Sequence, residues 1–165
     1  MYLKIIVRYS VLLSLLMLLW LSLEYMVGLH DRFIAYQPYV TLLAVGISIF
    51  CIHRALIEVQ KEALHRLTFR QAFVIGFIIT LISAVLAIPV QIIFHQLINP
   101  DFFQNMKEYS VKHAIELNED VERAKLQAES YFNLTSYLLQ SVLGTLVSGT
   151  VISLVLAWWK SRKRR

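Results

Sequence analysis

Five histidines, one cysteine and eleven carboxylates are the side chains in this 165-residue chain whose types suit acid–base, metal or nucleophilic chemistry. His30, His53, His65, His95 and His113 are scattered. None forms the His-x-x-x-His or His-Glu-x-x-His spacing that sets two ligands on one helical face. Cys51 stands alone, which excludes an internal disulfide and the paired-cysteine spacing of zinc sites. A serine nucleophile needs a base and a carboxylate to orient that base, and no serine in the apolar stretches has such a pair. No glycine-rich phosphate loop is present. No acid falls at the middle of an apolar stretch, so the carboxylate of a proton-coupled exporter is missing there. A haem between His30 and His95, both near the ends of apolar stretches, has only two facing axial ligands in its favour, and interfacial histidines are common. The expectation is a protein with no catalytic residue, no metal and no cofactor.

The elements that would position any site are membrane helices. The apolar fraction is 58% and the charged fraction 16%, against ~45–50% and ~25% in ordinary soluble domains. The charges avoid four long windows and crowd between them, whereas a soluble core helix carries a polar face at every turn. The windows are residues 5–27, 33–52, 72–97 and 134–159. At ~1.5 Å per residue each reaches across ~30 Å of hydrocarbon. The first is too long for a signal-peptide core, and no small-x-small cleavage site follows it. The expected fold is all-α: one membrane domain over residues 1–165, built on four transmembrane helices.

Between the windows, residues 53–71 repeat Leu56, Val59, Ala63 and Leu67 at helical spacing among charges. They read as an amphipathic helix on the membrane surface or as an extension of the second span. Thr68 and Gln71 fit a capping box opening the third helix, and Pro89 is expected to kink it. Asn99-Pro100-Asp101 reads as a helix start with Asn99 as N-cap. Residues 100–132 form an amphipathic helical insert between the third and fourth spans. It is one long helix or, with Asn118 capping a second half, a helical hairpin. Trp158-Trp159-Lys160 and the basic run 162–165 read as an interfacial anchor.

Four spans place both termini on one side. That side carries 11 of the 16 basic residues and the other carries 5, so the positive-inside rule predicts cytoplasmic termini and an extracytoplasmic insert.

Two patterns inside the spans point to contacts. Small residues recur every fourth position: Gly76, Thr80 and Ala84 in the third helix, and Ser141, Thr145, Gly149 and Ser153 in the fourth. Such stripes let membrane helices approach closely. A polar layer sits about 9 Å below the outer boundary, counting ~1.5 Å per residue. It holds Gln91 and Gln140, which are expected to hydrogen-bond across the third and fourth helices, and Glu24 and Gln37, which are expected to snorkel to the interface.

The segment Thr68-Phe69-Arg70-Gln71-Ala72-Phe73-Val74-Ile75-Gly76-Phe77 and the corner Leu97-Ile98-Asn99-Pro100-Asp101-Phe102 are followed by a small-residue helix closing in a lysine–arginine tail. With the acidic insert between the last two spans, this order resembles the bacterial membrane family called domain of unknown function 4199. The resemblance implies a four-helix protein of the bacterial inner membrane, and brings no activity, ligand or catalytic residue. The expected role is a non-enzymatic structural or accessory component presenting its acidic extracytoplasmic helices to a partner. The alternative is a subunit of a small transporter or channel that uses the polar layer. The expected partners are the lipid bilayer and either a second copy or another membrane protein; nucleic acid is not expected, because no basic helix with interleaved aromatics is present.

Overall fold

A computed structural model describes residues 2–162, and every element in it is helical. Helix α1 is Leu3–Met26. The second span opens with a 3-10 turn, Ile34–Tyr36, then α2, Gln37–Thr41, a further 3-10 turn, Leu42–Ala44, and α3, Val45–Ala63. Helix α4 is Phe69–Ile93, and it widens into a π-helical turn, Phe94–Ile98. Helices α5, Phe102–Glu116, and α6, Val121–Tyr131, precede α7, Leu134–Arg162. Four helical segments, Leu3–Met26, Ile34–Ala63, Phe69–Ile98 and Leu134–Arg162, are long and apolar enough to cross a membrane.

The second span is longer than its apolar window, because the amphipathic residues after 52 continue α3 to Ala63. Ile52, Ala55, Leu56 and Val59 are fully buried along its inner stripe. Leu64, in the left-handed region at φ 56°, ends the helix. The capping box then starts α4: Gln71 N donates to Thr68 Oγ1 at 3.3 Å, and Thr68 N donates to Gln71 Oε1 at 2.9 Å. Pro89 lies inside α4, which runs on through it.

Two expected caps are occupied differently. Asn99 does not cap α5; Asp101 holds the N-cap position without a side-chain bond, because the Asn99 amide is turned inward to His30. Asn118 does not cap α6 either. It adopts φ 55° at the end of α5, where a short polar side chain tolerates the left-handed region. Asp120 caps α6 instead, its Oδ1 accepting from Arg123 N at 3.0 Å. The segment is thus two helices folded against each other.

Helix α3 meets both α1 and α7 at one end of the bundle: Arg8 pairs with Glu58, to which Tyr9 also donates, and the rings of His53 and Trp159 lie tilted to each other, 5.5 Å apart. Helices α5 and α6 lie beyond the opposite end. The closest packing joins α4 to α7. A Cβ built on Gly149 would stand 2.5 Å from Thr80, and one on Gly76 would stand 2.7 Å from Ser153 Oγ. Each hydroxyl at this seam donates to its own helix, Thr80 to Gly76 O at 3.0 Å and Ser153 to Gly149 O at 2.7 Å. No proton is left unpaired where the backbones meet.

Candidate functional site

Two features meet near the α5–α6 end of the bundle: a buried polar–aromatic cluster and a cavity beneath it. The cluster starts from the last turns of α1. Trp20 and Glu24 are one helical turn apart, and Trp20 Nε1 donates to Glu24 Oε1 at 2.5 Å. Thr41, at the end of α2, donates to the same oxygen at 2.8 Å and accepts from Gln37 Nε2 at 2.9 Å. Gly28, at φ 81°, lets the chain turn back after α1. That turn brings His30 Nε2 to 3.4 Å from Glu24 Oε2.

Glu24 therefore does not snorkel. It is only 2% exposed. Three side chains converge on it from α1, the following turn and α2, which makes the buried position tenable where hydrocarbon offers no partner. Gln37 is half-buried and held by Thr41 in place of the interface.

The far side of His30 ties this layer to the next corner. Asn99 Nδ2 and His30 Nδ1 are 3.1 Å apart, and Asn105 Nδ2 donates to His30 O at 3.1 Å. Assigned with Asn99 as donor, His30 is the neutral tautomer carrying its proton on Nε2, toward Glu24. The rings of Phe94 and Phe102 meet His30 edge-on at 5.5 and 4.9 Å. Phe102 also lies 4.7 Å from the ring of His95, so the two imidazoles meet around a phenyl ring and not across an open slot. His95 is buried with neither ring nitrogen partnered; its ring packs on Phe103 at 4.4 Å and Tyr137 at 5.5 Å. Among the described residues no group of three or more His, Cys, Asp or Glu side chains could hold a metal.

Below the cluster, the four spans line a partly open cavity of about 290 Å³. The α7 stripe divides here. Gly149 packs on Thr80 and Ser153 on Gly76 of α4, and Ala84 of the α4 stripe is buried as well. Ser141 and Thr145, with Gly144 and Ser148, line the cavity instead. A Cβ on Gly144 would meet nothing within 4 Å.

The expected Gln91–Gln140 bond is not formed. Gln91 lines the cavity and its Oε1 is buried without a partner. Gln140 is half-buried and does not line the cavity, whereas Ser141 does. Equal depth fixes only one coordinate; successive residues on a helix are ~100° apart, and that rotation turns Ser141 to Gln91's side. Sequence reasoning passed over Trp20, Thr41, Ser83 and Asn105, and gave Asn99 a capping role in place of its bond to His30. The four-residue spacing of Trp20 and Glu24 was the available signal for the first of them.

The family model described as Protein of unknown function (DUF4199) matches residues 8–161. No curated protein and no solved structure matches the chain.

Proposed function

The chain belongs to that family, and from this premise we propose that it is a non-enzymatic component of the bacterial inner membrane, both termini cytoplasmic, that presents the α5–α6 hairpin outside to a basic partner. One observation carries the reading: the hairpin is fixed at its base and bare at its tip. At the base, Phe102 and Met106 are buried, and Asn105 is bonded to His30 O. Away from it, Ile115, Leu117 and Leu126 are exposed, Leu126 by 62%. They stand among Glu116, Glu119, Asp120 and Glu122. Residues 100–132 hold seven acids against four bases. A rigid base with exposed apolar side chains inside an acidic field suits recognition by a cationic surface with apolar anchors.

The test is site-specific photo-crosslinking in intact cells from residue 126, with Leu15, exposed on α1, as the control. The expected result is one discrete adduct from residue 126, lost when Glu119 and Glu122 are reversed to lysine. Identical adducts from both positions, or one indifferent to charge reversal, would overturn the reading.

The second reading, a transporter or channel subunit, rests on the burial of Glu24 beside the cavity. Intramembrane carboxylates commonly mark solute paths. Four such helices enclose too little space for a pore, so this reading requires several copies. A monomer in mild detergent and in native membranes counts against it.

A further inference from the structure

We propose that the groove between the start of α1 and the start of α4 binds one phospholipid by the phosphate of an anionic headgroup. The inference stands apart from the hairpin reading, uses none of its residues and holds for either orientation of the bundle.

The groove, of about 510 Å³, lies at the end of the bundle where α1 begins and where the chain passes from α3 to α4. Tyr2, Arg70 and Gln71 line it, together with Leu67, Val74 and Ile75. Their order along α4 matches a lipid. Arg70 and Gln71 stand in the first turn of the helix, and Val74 and Ile75 follow four residues later. Each polar residue therefore has an apolar one below it on the same helical face. That step covers ~6 Å at ~1.5 Å per residue. Going into the membrane, the groove passes from a guanidinium and an amide to hydrocarbon within about one turn. A phospholipid makes the same change in the same direction, from phosphate to acyl chain. A soluble anion would leave the exposed Val74 uncovered, and an acyl chain alone would leave Arg70 unmatched.

The rim supplies donors. Arg70 is exposed, and among the described residues no carboxylate pairs with it. A guanidinium fork meets two phosphate oxygens at once. Gln71 Oε1 already accepts from Thr68 N at 2.9 Å and from Thr68 Oγ1 at 3.2 Å. The polar group left on that side chain is its NH2, a donor.

The surrounding charge favours an anionic headgroup over a zwitterionic one. The sequence places eleven basic residues at this end of the bundle against two acids, Glu58 and Glu62. Glu58 is engaged by Arg8, and neither acid lines the groove. Basic pockets between membrane helices hold the headgroups of anionic lipids in this way.

The test titrates the full chain, in a nonionic detergent and about 0.15 M ammonium acetate, with phosphatidylglycerol, and counts bound lipid by native mass spectrometry. That salt largely screens exposed charges more than ~8 Å apart. The arms are phosphatidylcholine with the same acyl chains, which sets a cation beside the phosphate, and inorganic phosphate as a competitor. The expected result is one phosphatidylglycerol bound saturably, more tightly than phosphatidylcholine, and not displaced by inorganic phosphate. Arg70→Gln should weaken that affinity by about five-fold or more, the factor one basic residue contributes toward an anionic lipid. Lys61→Gln removes an exposed charge at the same end but outside the groove, and should leave the affinity unchanged. Both replaced side chains are exposed, so neither change disturbs the packed core. Equal losses in the two variants would mean general attraction to a basic surface and overturn the site. Equal affinity for phosphatidylcholine would overturn the anionic assignment. Displacement by inorganic phosphate would show a site for free anions and overturn the lipid.

Discussion

Thr80 and Gly149 face each other across α4 and α7 so closely that a Cβ added at Gly149 would stand 2.5 Å from the Thr80 methyl and hydroxyl. Real side chains do not approach so near, so any residue larger than glycine must push the helices apart. Gly149→Leu should lower stability by about 1–3 kcal/mol, the usual cost of overpacking. Gly144→Leu is the control on the same helix, because its Cβ meets nothing within 4 Å. Thermal unfolding in mild detergent reads both. Equal melting temperatures for the two variants would remove the seam as the tightest contact.

The rule that made this seam legible is local. Small residues at four-residue spacing fall on one helical face whatever the rest of the chain does, and so do the apolar windows. The window 134–159 and the helix Leu134–Arg162 coincide for that reason. The capping box at Thr68 and Gln71 was equally local. What the sequence did not disclose depends on rotation and on chain return. The α7 stripe splits, with Gly149 and Ser153 on the seam and Ser141 and Thr145 on the cavity. Glu24 is buried only because the turn at Gly28 brings His30 back over it while α2 delivers Thr41. Asn99 reads as a cap until His30 is known to lie beside it.

Gln91 and Gln140 should behave as independent residues. With no bond between them, the effects of Gln91→Leu and Gln140→Leu on stability should add within about 0.3–0.5 kcal/mol. Gln91→Leu alone should be neutral or stabilising, because it removes a buried oxygen that has no partner. The double-mutant cycle is measured by denaturant unfolding in mixed micelles. A coupling well above that margin would mean that the side chains meet in the membrane after all.

The orientation in the bilayer should place α5–α6 outside, on the strength of the 11-to-5 division of basic residues. Glu119 is exposed at the hairpin turn, and Glu62 is exposed near the end of α3. Glu119→Cys should react with a membrane-impermeant thiol reagent in intact spheroplasts, and Glu62→Cys only after lysis. The native Cys51 is fully buried and adds no background. The reverse labelling order would invert the topology.

Glu24 separates a structural bolt from a solvated end group. Were it simply reaching for the interface, Glu24→Leu would cost little, since leucine suits hydrocarbon better than a carboxylate does. In the cluster the outcome is opposite. Leucine leaves Trp20 Nε1 and the Thr41 hydroxyl without their acceptor, and His30 Nε2 without its nearest one. A single interhelical hydrogen bond in a membrane averages only about 0.6 kcal/mol, but orphaning a buried polar group costs about 1–3 kcal/mol. Glu24→Leu should therefore lose more than about 1 kcal/mol. Glu24→Gln should lose less, because its amide oxygen still accepts from Trp20 and Thr41. Its NH2 would then face His30 Nε2, which can accept if the imidazole proton moves to Nδ1 and the Asn99 amide turns its oxygen toward it. That compensation requires Asn99, so Glu24→Gln combined with Asn99→Leu should cost more than the two changes taken separately. Unfolding in mild detergent measures the four variants beside the parent. A Glu24→Leu variant as stable as the parent would show that the carboxylate is not held by these donors, and the link from α1 through His30 to the base of α5 would lose its first member.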